Sequence, residues 1–376
     1  MTPRIYFFAN FGNWKLQPYG GGEIGNRRTL EMMRRAGYDV HLIEKYNRVY
    51  KHTRKDAIFI FLLMAWDIIK LFVVLLFGRR KNSLVHIVGF YGSTIYFERI
   101  LVGISHLLGY RTIYEMRGGG ATLHYQNGSE LYRSWFAATI RQADYIFSQG
   151  QENKPLIESI DQGKHFFYYP NCVMRDFCPD TYPNKPTDHI NLLYFGRISK
   201  KKNVDIIIDT FNLLAAKYYN IYLDIVGNCT EPVYAEEIMH KINVSKYTNR
   251  ISMHPACDHN KLKGYLSDKH FYLFPTTEPR EGHSNALTEA MAWGIIPVAT
   301  DMGFNRTIVG NNSLIVEKLS SESFASTISQ IIESGNIPEL SKQAYIRIQN
   351  NYTEDIIYNR LKEEYKILFN QLSTNK

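Results

Sequence analysis

Residues 274–300 read FPTTEPREGHSNALTEAMAWGIIPVAT and carry the strongest structural signal in the chain. The apolar run Phe271–Phe274 leads into this stretch and Ile296–Ala299 ends it, which predicts two β-strands. Between them, Ser284 is a typical helix N-cap, Asn285–Trp293 a helix, and the glycine that follows a helix C-cap. A strand–helix–strand order of this length is typical of α/β proteins with parallel sheets.

Strand-length apolar runs alternate with longer helical patterns on both sides of this stretch. Further strands are expected at Arg4–Asn10, Tyr38–Ile43, Leu84–Val88, Thr112–Met116, Tyr145–Ser148, Phe166–Tyr169, Asn191–Phe195, Tyr222–Val226 and Arg250–Met253. The Pro- and Asp-rich stretch Cys178–Asp188 breaks the alternation and is the best candidate for a linker. The sequence therefore predicts two doubly wound, Rossmann-like α/β domains, 1–180 and 181–353, that face each other across a ligand-binding cleft. A helix over about Glu354–Leu372, within the segment 354–376, is expected to pack back on the first domain.

The formal net charge of +8 suits an anionic partner: nucleic acid, an acidic membrane surface or a nucleoside diphosphate. Nucleic acid is not expected, because the sequence has no zinc-finger spacing, no Lys/Arg-rich tail and no aromatic RNA-binding motif. The four cysteines show no CxxC pairing, so we expect reduced thiols in a cytoplasmic protein rather than disulfides or a metal site. The first residues, MTPRIYFFANFG, run directly into a predicted strand without the pattern of a signal peptide.

The segment Ala57–Phe77, AIFIFLLMAWDIIKLFVVLLF, is apolar enough and long enough to cross a bilayer. Asp67 and Lys70 near its middle argue against a span, since each costs roughly 2.5–3.5 kcal/mol at the centre of a membrane helix. The segment also lies between two predicted strands, where a crossover helix is expected. Three interpretations stay open: a crossover helix with a lipid-facing surface, a plain core helix, and a true span. Basic residues flank it on both sides, as an interfacial helix on anionic lipid requires: Lys51, Arg54, Lys55, Arg79, Arg80 and Lys81.

A glycine cluster near the N-terminus allows two ligands. Gly20, Gly22 and Gly25 fit the GxGxxG pattern, and Glu44 follows the next predicted strand, as in NAD-binding domains. A long loop, however, separates these glycines from the preceding strand, whereas the dinucleotide fingerprint needs a tight turn. The alternative is that backbone amides at the start of a helix over Glu23–Arg35 bind a diphosphate. A loop with no ligand is the third possibility.

Charged residues follow the predicted strands of the second domain. Glu281 lies in the loop before the helix, and Glu289 lies within the helix, whose N-terminus favours an anion. A carboxylate is a good acceptor for the vicinal diols of a nucleotide sugar. Arg197 and Lys202 follow the strand Asn191–Phe195 and supply a forked donor and a point charge for phosphate oxygens. The sequence contains no DxD motif, so we do not expect a metal-bridged diphosphate.

Taken in order, these residues resemble family 4 of the GT-B glycosyltransferases, over essentially the whole chain. The matching stretches are GGGE (20–23), YYPNCV (168–173), FGRISKKKN (195–203), IVGN (225–228) and the stretch 274–300. The most specific signal is a combination of two stretches: the two glutamates separated by seven residues in 274–300, and the G-R-x4-K pattern in 195–203.

The resemblance implies a role for each matching residue. Arg197 and Lys202 would hold the donor diphosphate, Glu281 would contact the transferred sugar, and Glu289 would bind the ribose. The amides of Ser284, Asn285, Ala286 and Leu287 would meet the phosphates. Gly227 and Asn228, in the turn of the IVGN stretch, are further candidates for binding the nucleotide sugar. From the first domain, Gly21 and Gly22 would approach the phosphates. Family members typically retain the anomeric configuration and need no metal ion.

Three positions depart from the family pattern. Asn203 stands where the family commonly has glycine after the lysine. Arg117 stands where many relatives carry a histidine beside the sugar, and is the candidate for that contact here. The stretch Gly303–Arg306 replaces a more usual glycine-glycine turn, and no role follows for it.

These observations predict a retaining hexosyltransferase that moves a sugar from a nucleoside-diphosphate sugar, with UDP as the expected nucleotide. The expected acceptor is a growing, lipid-linked cell-surface polysaccharide or oligosaccharide, which the enzyme reaches from the inner face of the cell membrane. No cofactor and no metal ion are expected. Two alternatives are an NAD-dependent oxidoreductase, which leaves Glu281 and Glu289 unexplained, and a non-catalytic, membrane-associated glycan-binding protein.

Overall fold

The computed structural model describes residues 2–16, 21–45 and 54–374. The chain divides into two compact units, residues 1–170 with 358–376, and residues 171–357. The boundary expected from the sequence, at 180, lies further along the chain than the observed one. The physical reason is backbone pairing at Val173, whose N–H donates to Tyr352 (2.8 Å) and whose carbonyl accepts from Glu354 (2.9 Å). These bonds hold the stretch after Pro170 in the second unit.

The first unit is a parallel sheet covered by helices. Its strands are β1 (Arg4–Ala9), β2 (Asp39–Glu44), β3 (Ser83–Gly89), β4 (Arg111–Met116), β5 (Tyr145–Ser148) and β6 (His165–Tyr168). Its helices are α1 (Gly21–Arg35), α2 (Arg54–Leu76), α3 (Ile95–Leu107), α4 (Ala121–Asn127), α5 (Glu130–Gln142) and α6 (Lys154–Ile160). Among the described residues these six strands pair in the order β2-β1-β3-β4-β5-β6.

The second unit repeats this architecture. Its strands are β7 (Ile190–Phe195), β8 (Ile221–Val226), β9 (Ile251–His254), β10 (Phe271–Phe274), β11 (Ile296–Thr300) and β12 (Ile315–Val316). The helices that follow β7 are α7 (Val204–Lys217), α8 (Pro232–Val244), α9 (His259–Lys263), α10 (Asn285–Ala292), α11 (Asn305–Val309), α12 (Ser321–Glu333), α13 (Ile337–Asn351) and α14 (Glu354–Thr374). Within the described part of the chain, the strand order is β12-β11-β10-β7-β8-β9.

The apolar runs form strands because helices cover both faces of a parallel sheet, so that central strands are buried along their whole length. All seven residues of β3 and all four of β10 are buried. The prediction of two doubly wound, Rossmann-like α/β domains is therefore confirmed. The short strand β12 was not predicted, because two residues give no periodic signal.

From Tyr358 onwards, α14 belongs to the first unit. The Tyr365 hydroxyl lies 2.5 Å from His86 Nδ1 on β3. Phe369 stacks on Tyr38, with ring centroids 5.5 Å apart. The end of the chain thus completes the core of the first unit.

The two charged residues near the middle of α2 face the protein, and large apolar residues of this helix face outward. Asp67 is 1% exposed and forms an ion pair with Lys70 (2.7 Å), whose ammonium also donates to the Glu44 carbonyl. Leu71 and Leu75 are buried in the core of the first unit. The outward face carries large exposed side chains, namely Ile58, Phe59, Phe61, Leu62, Trp66, Ile69, Phe72, Val73 and Leu76. Among the described residues, Ile58–Leu76 is the one helix segment long and apolar enough to cross a membrane, and 17% of its most apolar window is buried.

Just before α10, the second unit buries a histidine whose ring makes no hydrogen bond to any described residue. Within the described residues, neither ring nitrogen of His283 has a partner, and the side chain packs against the ring of Tyr352, 4.9 Å between centroids. Burial, with a smaller contribution from Arg347, lowers the pKa of His283 to about 3. The imidazole is therefore neutral in the folded protein across the physiological pH range.

Because the pKa of His283 is lowered in the folded protein, we expect protonation of this residue to contribute to acid destabilisation. Between pH 6.5 and 3 the unfolded chain binds a proton that folded His283 does not, so the free energy of unfolding falls by about 1.4 kcal/mol per pH unit as the pH is lowered. His283→Phe should remove this dependence. Between pH 7.5 and pH 5.0, the free energy of unfolding of wild type should therefore fall by about 2 kcal/mol more than that of the variant. Urea unfolding at the two pH values measures it, with His106→Phe on the exposed side of α3 as the control. Equal pH dependence in wild type and His283→Phe would contradict the assignment.

Candidate active site

Two loops of the second unit meet because the strands before them are neighbours. β7 and β10 pair in parallel, with Phe271 opposite Leu192. Both strands therefore end at the same edge of the sheet, where β7 continues into residues 196–203 and β10 into residues 275–284. This edge is where ligands bind in doubly wound sheets.

Lys202 and Glu281 are in direct contact at this edge. The Lys202 ammonium donates to Oε2 of Glu281, and the Thr276 hydroxyl donates to the same oxygen (3.1 Å). The ammonium also lies 4.7 Å from the ring centroid of Phe274. The two side chains are 20% and 14% exposed, so the pair lies just below the surface. A fixed cation and a fixed carboxylate are thus side by side, within reach of one polar ligand.

Arg197 lies in the same loop as Lys202 and is exposed. Its carbonyl accepts a hydrogen bond from the Tyr194 hydroxyl (2.6 Å). The loop approaches β8 closely, since a Cβ atom on Gly227 would lie 2.0 Å from the Gly196 carbonyl oxygen. The Asn228 side-chain oxygen accepts from the Ala256 amide (3.0 Å). The Asn228 carbonyl accepts from the Ile198 amide (3.1 Å). Gly227 and Asn228, candidate ligand residues from the sequence, therefore also shape the loop that carries Arg197.

Helix α10 begins as its sequence predicts. The Ser284 hydroxyl accepts from the Leu287 amide (3.3 Å), which makes Ser284 the N-cap. Of the four amides expected to meet phosphate, that of Leu287 is engaged by this cap. Asn285 and Ala286 are the half-buried first residues of the helix, where its dipole favours an anion.

Glu289 lies further along α10 and is 4% exposed. Its Oε1 atom is 3.6 Å from Nε2 of His259, the first residue of α9. The His259 ring in turn contacts Phe177, 5.1 Å between centroids. The structure thus separates the two glutamates: Glu281 contacts Lys202, and Glu289 contacts His259.

Gly303, to which the sequence assigned no role, supports the Glu281 loop. It has a left-handed backbone (φ +55°), and a Cβ atom there would lie 1.9 Å from the Glu281 carbonyl oxygen. Any other residue would push Glu281 away or shift the turn after β11.

In the first unit, Gly21 and Gly22 are the first residues of α1, two residues earlier than the predicted helix start. A Cβ atom on Gly22 would lie 3.3 Å from the Phe90 ring. Gly20 lies outside the described residues. Because β1 ends at Ala9 and α1 begins at Gly21, the tight strand-to-helix turn of a dinucleotide fingerprint is not formed here.

Arg117 follows β4 and is held in a buried network of the first unit. It is 3% exposed, its Nε lies 2.6 Å from Glu115, and its Nη2 donates to the Thr29 hydroxyl (3.2 Å). Glu115 also pairs with His86 (2.8 Å). Burial acts to raise the pKa of Glu115, but Arg117 and His86 outweigh it, so that this pKa lies below its ordinary value. Glu115 is therefore an ionised partner that fixes Arg117.

Several residues beside the candidates had no signal in the sequence: Thr276 beside Glu281, His259 beside Glu289 and Glu115 beside Arg117. Their roles depend on side-chain contacts, which none of the motifs encodes. Asn203 did stand out, because it occupies a position where glycine is usual. In the part of the chain that the structure describes, no group of three or more His, Cys, Asp or Glu side chains is placed to hold a metal ion.

Residues 182–350 match the family model of the glycosyl transferases group 1. Among curated proteins, the capsular polysaccharide biosynthesis glycosyltransferase CapM of Staphylococcus aureus is 25% identical over 181 residues, which are 47% of this chain and 46% of that protein. A component of the human phosphatidylinositol N-acetylglucosaminyltransferase is 25% identical over 173 residues, which are 45% of this chain and 34% of that protein. The matches thus span less than half the length of these relatives.

Solved structures match nearly the whole chain. Sucrose-phosphate synthase from Thermosynechococcus elongatus aligns over 98% of this chain and 100% of its own, with a TM-score of 0.71 and 18% identity. HepE from Anabaena in complex with UDP aligns over 97% and 100%, with a TM-score of 0.69 and 13% identity. The two units thus have the GT-B fold of glycosyltransferases, and residues 182–350 are similar to the glycosyl transferases group 1.

Proposed function

We propose that this chain is a retaining, metal-independent hexosyltransferase of family 4 that transfers a sugar from a nucleoside-diphosphate sugar to a growing polysaccharide or oligosaccharide. The observation that carries the proposal is the contact at the carboxyl edge of the second sheet between Lys202, in the loop after β7, and Glu281, in the loop that enters α10. Such a site offers a cation for a diphosphate, a carboxylate for sugar hydroxyls and a helix N-terminus for phosphate oxygens.

Each residue has a proposed role in this reaction. Lys202 and Arg197 bind the diphosphate, with the first amides of α10. Glu281 accepts hydrogen bonds from the transferred sugar, and Glu289 from the ribose. In the first unit, the amides of Gly21 and Gly22 are proposed contacts of the phosphates, and Arg117 of the sugar, oriented by Glu115.

The reaction balances without a protein nucleophile. The acceptor oxygen bonds to the anomeric carbon on the face from which the diphosphate leaves, while the bond from that carbon to the phosphate oxygen breaks. The departing phosphate oxygen takes the proton of the acceptor hydroxyl, so the products are a glycoside and a nucleoside diphosphate. Fixed cations and helix amides stabilise the negative charge that grows on that phosphate, which lowers the barrier.

The comparisons support the substrate class. HepE, which shares the fold, was solved with UDP, and UDP is the proposed nucleotide here. CapM is named for capsular polysaccharide biosynthesis, and the human relative is named for the transfer of N-acetylglucosamine to phosphatidylinositol. A glycan acceptor carried on a lipid is the corresponding proposal.

Helix α2 supports a membrane location for this acceptor. The two charged residues near its middle, Asp67 and Lys70, are paired on the protein side, and large apolar side chains are exposed on its outward face. Arg80 and Lys81 beyond its end are exposed, whereas Arg79 donates to the Thr2 carbonyl (2.6 Å). Lys51 lies outside the described residues, as do the side chains of Arg54 and Lys55. We place α2 flat on the inner face of the cell membrane, with the apolar face in the lipid and the enzyme in the cytoplasm.

Release of nucleoside diphosphate from a panel of sugar nucleotides tests the function. A turnover that rises with a lipid-linked glycan and is unchanged by EDTA supports it. Binding of NAD without release from any sugar nucleotide would instead support an oxidoreductase. Glycan binding without turnover would support a non-catalytic protein.

The diphosphate contacts predict large losses of activity. Arg197→Ala and Lys202→Ala should each lower turnover by roughly two to four orders of magnitude, because each removes a contact that strengthens as the phosphate gains charge. Nucleotide release at saturating donor measures it, with the neighbouring Lys200→Ala as the control. Activity of both variants within about threefold of wild type would remove these residues from the site.

The two glutamates should differ in effect. Glu289→Ala should mainly weaken binding of the bare nucleoside diphosphate, because a ribose contact is equal in the ground and transition states. Glu281→Ala should mainly lower turnover, since it positions the sugar being transferred. Titration calorimetry and steady-state kinetics separate the two, and equal losses of affinity would contradict the division of roles.

Membrane binding should depend on the outward face of α2. Phe61→Ser with Trp66→Ser should reduce binding to phosphatidylglycerol-rich liposomes without lowering the melting temperature, because both side chains are more than half exposed. Arg80→Ala and Lys81→Ala should reduce only the salt-sensitive part, about 1 kcal/mol per residue. Val233→Ser, an exposed apolar residue of the second unit, is the control. Unchanged liposome binding in the double variant of Phe61 and Trp66 would contradict a lipid-facing role and favour the interpretation of α2 as a plain core helix.

A further inference from the structure

Asn203 joins the loop of Lys202 to helix α7 in an unusual conformation. Its backbone lies in the left-handed region (φ 49°, ψ 49°), which residues other than glycine, asparagine and aspartate rarely adopt. The turn 200–202 before it is a short 3₁₀ helix, closed by a bond from the Lys202 amide to the Ser199 carbonyl (2.9 Å). The left-handed residue lets the chain reverse directly after Lys202 and enter α7.

The side chain of Asn203 reaches across to the second loop of the site. Its Nδ2 donates to the Pro275 carbonyl (2.6 Å) and lies 3.3 Å from the Thr277 hydroxyl. The Pro275 carbonyl belongs to the loop that contains Glu281. The side-chain amide of Asn203, directly after Lys202, is therefore bonded to the first residue after β10.

A backbone bond runs beside this connection. The Thr277 amide donates to the Lys201 carbonyl (2.8 Å), and Lys201 pairs with Glu278 (2.7 Å). Thr276, between the two bonded residues, donates to the Glu281 carboxylate. Lys201 and Asn203, on either side of Lys202, are thus each bonded to the loop 275–284. The Lys202 ammonium donates to the carboxylate of Glu281, which lies in that loop.

We propose that Asn203 is a positioning residue that fastens the loop of Lys202 to the loop of Glu281 and so fixes the ammonium for the donor diphosphate. This inference rests on the proposed function, because it is at the diphosphate that the position of Lys202 matters. The left-handed backbone alone would be met by glycine. Asparagine adds the N–H donor that the Pro275 carbonyl needs.

Substitutions separate the two contributions. Asn203→Gly keeps the conformation and loses the amide contact. Asn203→Asp tolerates the conformation but faces the Pro275 carbonyl with an acceptor instead of a donor. Asn203→Ala loses both the contact and the favourable conformation.

The expected effect is on turnover more than on donor affinity. Asn203→Gly should lower kcat about tenfold, and Asn203→Asp and Asn203→Ala about a hundredfold, because small displacements of a charged group cost much in the transition state. KM for the donor should change less than kcat in each variant. Binding of the bare nucleoside diphosphate, followed by calorimetry, should persist in Asn203→Gly.

Asn82 provides a matched control. It has the same left-handed backbone (φ 57°) but lies between α2 and β3 in the first unit. Asn82→Ala should lower the melting temperature as Asn203→Ala does, yet leave turnover within about twofold of wild type, since it removes no contact of the site.

The outcomes separate the inference from the function it rests on. Wild-type turnover in Asn203→Gly and Asn203→Asp, measured beside an active wild type, would overturn the role of Asn203 and leave the function standing. The role of Asn203 would also be overturned if kcat fell only in proportion to the loss of melting temperature and if Asn82→Ala showed the same fall in kcat. A wild-type protein that releases no nucleotide from any donor would instead defeat the proposed function.

Discussion

The parallel pairing of β7 with β10 is the constraint on which the site depends. Parallel neighbours end at the same edge of a sheet, so the loops after Phe195 and Phe274 must share that edge, although 79 residues separate Lys202 from Glu281 in the chain. Doubly wound sheets gain this arrangement from their topology, without any contact between the loops themselves. The contacts between the loops then refine it.

Close backbone approaches give the edge its shape. Gly227 lets the loop of Arg197 pass close to the end of β8, and Gly303 lets the turn after β11 lie on the backbone of Glu281. In both places a methyl group would overlap a carbonyl oxygen, so the requirement is steric rather than chemical. Charged residues on such loops keep defined positions, which a site for a diphosphate requires because electrostatic stabilisation depends on fixed distances.

The first unit uses buried charge for a similar purpose. Glu115 lies inside the sheet and is ionised because Arg117 and His86 compensate its burial. Tyr365 of α14 bonds to the same histidine, so the end of the chain takes part in the network. Helix α2 of this unit also places charge on the inside: Asp67 pairs with Lys70 there, and large apolar side chains are exposed on the outer face.

The sequence alone determined the two doubly wound domains, the start of α10 at Ser284, and the presence of a basic loop and a glutamate loop that each follow a strand. These follow from local signals: apolar runs of strand length, capping residues and charges directly after strands. Only the tertiary structure decided that Glu281 contacts Lys202, that Glu289 contacts His259, and that Asp67 faces inward. It also decided the domain boundary at Pro170 and the left-handed backbone at Asn203. The reason is that side-chain contacts between distant segments depend on how strands and helices pack, and a linear pattern carries no information about which neighbour a side chain will meet.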